Sequence, residues 1–166
     1  MSSYFLKYIT LLPIYALLQI LVLNEVLFSA YINPFLYIIL IISLPLKTSK
    51  WFLLTYAFTL GFVIDIFSAN LGFHSTATVL IAFVKPIISR LTIPHNILTD
   101  TDEITLKKIG NKSFITFCLF IIIIHNSCLF ITAHLSIDIN IFSKIIASSF
   151  VTLTLILITQ LFQKDK

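Results

Sequence analysis

Three of the four histidines in this 166-residue chain stand in or beside long apolar runs, and two carboxylates do the same. They are His74, His125, His134, Glu25 and Asp65. Ionisable groups in such places are costly and normally face a protein interior or a cavity, so they are the first candidates for chemistry. A carboxylate beside an imidazole suggests acid–base work, and several imidazoles around a carboxylate suggest a metal site. The pattern supports neither. The histidines lack the tight local spacing of zinc ligands, and no nucleophile is set beside an Asp65–His125 pair. Three glycines cannot build a phosphate-binding loop, and the chain has no nucleophile elbow and no HExxH helix. The chain is therefore expected to be non-enzymatic, with no cofactor and no metal. Two readings of the polar cluster stay open: a hydrogen-bonded plug that holds helices together, or the lining of a cavity or partner groove.

The elements that position these residues follow from composition. Apolar residues make up 58% of the chain and charged ones 11%, against roughly 45–50% and 25% in soluble domains. A water-soluble globule of this size cannot hide so much hydrocarbon surface. The expected fold is a single all-α membrane domain over residues 1–166, with six transmembrane helices in one bundle. The spans are read at 8–28, 34–46, 51–68, 75–93, 113–133 and 141–162. All but the second reach the roughly 17–25 residues that cross the hydrocarbon core. Their solid Ile/Leu/Phe runs favour helices over an alternating barrel pattern.

With six crossings, nine of the eleven basic residues fall on one face, and the positive-inside rule makes that face cytoplasmic. Both termini then lie in the cytoplasm. Lys85 and Lys144 depart from the pattern. The net charge of +4 thus reports topology, and no basic aromatic surface outside the membrane suggests nucleic acid. Cys118 and Cys128 sit in one span as free thiols. The stretch 94–112 is a cytoplasmic loop, either a solvated connector or a docking surface, in which Glu103 and Lys107 have the spacing of an i,i+4 pair.

In span three, Ala57, Gly61, Asp65, Ser68 and then Gly72 recur every three or four residues, so small and polar groups share one helical face. Ala57 and Gly61 allow another helix to approach closely. Ser75 or Thr76 is expected to cap span four. Span one brings Gln19, Asn24 and Glu25 to the same outer half of the bundle, and span five adds His125 and Asn126. Pro34 suits the first turn of span two. Lys85, followed by the helix-kinking Pro86, either snorkels toward the cytoplasm or pairs with a carboxylate such as Asp65.

The run Gly61-Phe62-Val63-Ile64-Asp65-Ile66-Phe67-Ser68, then Leu71-Gly72, resembles the GxxxDxxS…LG signature of the rod shape-determining protein MreD family. Gln19, Asn33-Pro34-Phe35, and Leu44-Pro45 before the basic turn at Trp51 fall in the order seen in that family. The resemblance implies a non-catalytic scaffold in the bacterial cytoplasmic (inner) membrane, part of the cell-elongation (Rod) complex. The implied direct partner is MreC, a bitopic protein. Indirect partners are the glycosyltransferase RodA, penicillin-binding protein 2 and the actin-like MreB. The implied fold is that of the S-component of energy-coupling-factor transporters. The rival reading is accordingly an S-component-like subunit that binds a small vitamin for transport.

Overall fold

The computed structural model describes residues 2–25, 32–70, 72–94, 97, 103–134 and 139–162. Leu71 of the motif, Asp100 and Asp102 of the loop, residues 26–28 of the first span, and Lys164 and Lys166 lie outside the described residues. Among the described residues, five helices are long and apolar enough to cross a membrane, which is the pattern of a multi-pass membrane protein. The first is α1 (Ser2–Leu18), which continues as a π-helical turn (Gln19–Leu23). The others are α3 (Lys50–Phe67), α4 (Phe73–Thr92), α6 (Asn111–His134) and α7 (Ile139–Phe162). Two short helices, α2 (Ile38–Ser43) and α5 (Leu106–Ile109), complete the set among the described residues. Four of the expected spans match long helices to within about two residues, a normal uncertainty for helix ends. α4 is the central packing element, lying against both α3 and α6.

The second expected span differs. Instead of a helix over 34–46, the chain forms the six-residue α2, preceded by a non-helical stretch and wholly buried. Ile38, Ile41, Ile42 and Leu44 have no exposed surface. Thirteen helical residues would span only about 20 Å, short of a hydrocarbon core of roughly 30 Å. The six residues of α2 (about 9 Å) are flanked by non-helical residues at 33–35 and 44–45, and extended residues advance about 3.3 Å each, roughly twice the helical rise. Non-helical backbone at this depth is tolerated only where protein surrounds it. The other helices provide that surround.

Hydrogen bonds identify the two ends of the bundle. At one end, Lys7 Nζ reaches both oxygens of Glu103 at 2.6 and 2.8 Å. There the Leu106 N–H donates to Gln160 Oε1 at 3.1 Å, and the Ile104 N–H donates to the Ser43 carbonyl at 3.1 Å. The start of α1, the end of α7, the 103–106 connector and the end of α2 therefore meet. The expected Glu103–Lys107 pair does not form, because Glu103 precedes α5 and its carboxylate takes Lys7. At the other end, Asn24 Nδ2 donates to Ser68 Oγ at 3.0 Å and the Asn33 N–H donates to Ser148 Oγ at 3.1 Å. The buried second run thus passes from one end to the other through the interior.

This path is testable by labelling single cysteines in a Cys118→Ala, Cys128→Ala background. Asn33→Cys and Leu46→Cys are expected to react with impermeant maleimide from opposite sides of the membrane. Reaction of both from one side would mean that the run turns back.

Candidate functional site

The polar residues of α3 and α4 form one lock. α3 ends at Ser68, and Ala69 follows with φ 53°, a left-handed residue after the helix. The Asn70 N–H then reaches back to the Asp65 carbonyl at 3.0 Å, the long bond of a Schellman ending. Gly72, with φ 89°, starts α4 from a left-handed conformation that glycine adopts freely. The first N–H groups of a helix have no intrahelical acceptor. Asp65 supplies one: Oδ1 accepts from the His74 N–H at 2.9 Å and Oδ2 from the Ser75 N–H at 2.8 Å. The Ser75 hydroxyl also donates to Oδ2. One residue therefore ends α3 with its backbone and caps α4 with its side chain, where the positive pole of α4 favours a carboxylate.

This corrects the expected capping role of Ser75 or Thr76. Gly72 is the capping residue, without a side-chain bond, and Ser75 acts as a donor to Asp65. Gly61, one helical turn from Asp65, shows how closely the two helices pack. A Cβ there would lie 2.5 Å from Ser75 Cα and from Thr78 Oγ1, closer than real Cβ atoms come. Ser68 joins the lock to the end of α1 through Asn24.

A second group of side chains satisfies the non-helical run. Gln19, fully buried, donates from Nε2 to the Pro34 carbonyl at 2.8 Å and accepts the Leu36 N–H on Oε1 at 3.2 Å. From the opposite side, Ser148 Oγ accepts the Asn33 N–H and Thr152 Oγ1 accepts the Phe35 N–H, both at 3.1 Å. The spacings match: four residues of helix rise about 6 Å, and two residues of extended chain advance about 6.6 Å. Successive turns of α7 therefore meet the two N–H groups that flank Pro34, which has none of its own. Pro34, expected in a first helical turn, instead lies in this extended stretch and is buried.

A third group runs through the core. Tyr37 Oη lies 2.8 Å from both His74 Nδ1 and His125 Nε2. His125 Nδ1 is 3.1 Å from Asn126 Oδ1, and Asn126 Nδ2 donates to Ser149 Oγ at 2.9 Å. His74 and His125 are thus bridged by a tyrosine rather than converging on one point. His134 is exposed at the outer edge, and Glu25, expected in the cluster, is exposed and takes no part in it. Lys85 neither snorkels to water nor meets Asp65: it is buried, and Nζ donates to the Leu44 carbonyl at the end of α2. Cys118 and Cys128 are free.

A cavity of about 420 Å³ opens at the Asn24–Ser68 end, with His74, Asn33, Asn70 and three phenylalanine rings in its wall. Sequence reasoning placed Gln19, Gly61, Asp65, His125 and Asn126 in the interior but missed Tyr37, Ser148, Ser149 and Thr152. The i,i+4 pair Ser148/Thr152 was the available signal. Tyr37 gave none, being one aromatic in an apolar run. No protein-family model matches the chain, and neither does any of the curated proteins or solved structures compared with it.

Asp65→Ala is expected to lower unfolding stability in mild detergent by about 2 kcal/mol, a lost cap plus unsatisfied N–H groups. Asp65→Asn should lose less, while the 59%-exposed Ile66 should tolerate alanine with little change. Gly61→Leu should prevent native packing of α3 on α4. A native unfolding midpoint for Asp65→Ala or Gly61→Leu would refute the lock.

Proposed function

We propose that this chain is an MreD-like, non-catalytic membrane scaffold of the bacterial cell-elongation complex, supporting an MreC-like bitopic partner and, through it, lateral-wall peptidoglycan synthesis. RodA-like and penicillin-binding-protein-2-like enzymes and MreB are its indirect partners, and membrane lipids are its solvent. It resides in the cytoplasmic membrane with both termini inside. The grouping of Lys7, the 103–106 connector and Gln160 at one end of the bundle supports that orientation.

One observation carries the reading. The described positions of the GxxxDxxS…LG resemblance have interlocking jobs in a single helical hairpin. Gly61 permits the close approach, Asp65 caps α4, Ser68 ties in α1, and Gly72 begins the next helix. A motif used up in rigid packing suits a protein that presents a shaped surface rather than one that turns over a substrate. A partner's transmembrane helix then docks against the outside of the bundle, whose form the lock maintains.

A mild-detergent pull-down from rod-shaped cells tests this. An MreC-like protein should co-purify with the chain, and Asp65→Ala should reduce its recovery at least several-fold while Ile66→Ala leaves it unchanged. Recovery of an energy-coupling ATPase module with no morphogenetic partner would overturn the reading in favour of transport.

A further inference from the structure

We propose that the bundle end where α4 finishes binds the phosphate of an anionic phospholipid, held by Arg90 together with Lys50 and Lys112. This inference rests on the membrane-spanning fold and not on the scaffold reading. The register of three helices brings the cations to one level. A Cβ on Gly61 would touch Ser75 and Thr78, so eleven residues back along α3 Lys50 comes level with residues 86–89 of α4. Tyr37 bridges His74 and His125, so thirteen residues back along α6 Lys112 comes level with Ile87. α4 lies against both of these helices, and Arg90 stands in its last turn, close to that level.

The positive-inside rule accounts for basic residues at this end but not for their lack of counter-charge. Arg90, Lys50 and Lys112 are exposed, and none makes an ion pair or a side-chain hydrogen bond among the described residues. The described carboxylates are committed elsewhere. Glu103 holds Lys7, Asp65 caps α4 at the opposite end, and Glu25 follows α1 at that opposite end. Arg90 is the single arginine of the chain, and its planar fork matches two phosphate oxygens where a lysine offers a point charge. Apolar surface continues from it toward the bilayer centre. Phe83, Ile87 and Leu91 form a stripe at helical spacing on α4, and each is more than half exposed. Trp51, 84% exposed beside Lys50, suits the headgroup level where tryptophans gather. A free phosphate would engage the cations alone, whereas a phospholipid also lays its acyl chains on the stripe. The lipid therefore fits better.

The probes are trace spin-labelled phosphatidylglycerol and phosphatidylcholine, added to the full chain in phosphatidylcholine nanodiscs. Electron paramagnetic resonance should show phosphatidylglycerol enriched about three-fold or more in the motionally restricted layer at the protein. Arg90→Gln should lose most of that enrichment, Arg90→Lys should keep only part of it, and Lys112→Gln on a different helix should also reduce it. Lys7→Gln removes an equal charge at the same end, from a residue already paired with Glu103, and should leave the enrichment unchanged. sn-Glycerol 3-phosphate at about 10 mM should not displace the lipid, because it lacks acyl chains for the apolar stripe. Equal restriction of the two lipids, or full enrichment in Arg90→Gln or Lys112→Gln, would overturn the proposal. So would a loss in Lys7→Gln as large as in Arg90→Gln, which would mean a diffuse charge effect, or displacement by glycerol phosphate. None of these results bears on co-purification of a partner, so the scaffold reading stands or falls separately.

Discussion

A backbone N–H or C=O inside a bilayer has no water to bond, and leaving one unsatisfied costs several kcal/mol. Continuous helices meet that demand within themselves. This chain interrupts its helices at the α3–α4 turn and along the 33–37 stretch, and several of its buried polar side chains serve those interruptions and the ends of the short helices. Asp65 serves the start of α4, while Gln19, Ser148 and Thr152 serve the run before α2. Lys85 serves the end of α2, and Gln160 serves the start of α5. Side-chain bonds between helices contribute only about 0.6 kcal/mol each on average. What these residues prevent matters more than what each bond adds.

The same constraint explains the shape of the core. A run too short to cross as a helix can still cross if it is partly extended, provided that neighbouring helices supply hydroxyls and amides at the right intervals. That arrangement puts apolar residues such as Ile38, Ile41 and Ile42 at the centre of the bundle, away from lipid. It also draws Tyr37 inward to bridge His74 and His125, linking α4 and α6 through the interior segment. The outer cavity lies at the end of that linkage.

Much of this was legible in the residues, and the rest was hidden for physical reasons. Long solid apolar runs reveal helices because length and composition suffice. The face bearing Gly61 and Asp65 was legible because small and polar side chains at helical spacing stand out against Ile and Phe. The path of residues 34–46 was not, since a short apolar run reads alike as a helix and as a buried extended segment. The partners of Asp65 and Lys85 were hidden as well. Both bond to backbone groups, and a sequence does not show which backbone ends lack partners. Carboxylates and water are the partners a sequence offers Lys85, whereas its partner is the Leu44 carbonyl.

If the hairpin is the rigid part of a scaffold, its two terminal amide hydrogens should behave unlike those of an ordinary helix start. The His74 and Ser75 N–H groups have no intrahelical acceptor, so any protection they show comes from the Asp65 carboxylate. Residue-resolved hydrogen exchange in nanodiscs measures this directly. The account predicts slow exchange at both amides in the native chain and acceleration of about 100-fold or more in Asp65→Ala. Fast exchange in the native chain, or equal rates in the two proteins, would contradict it.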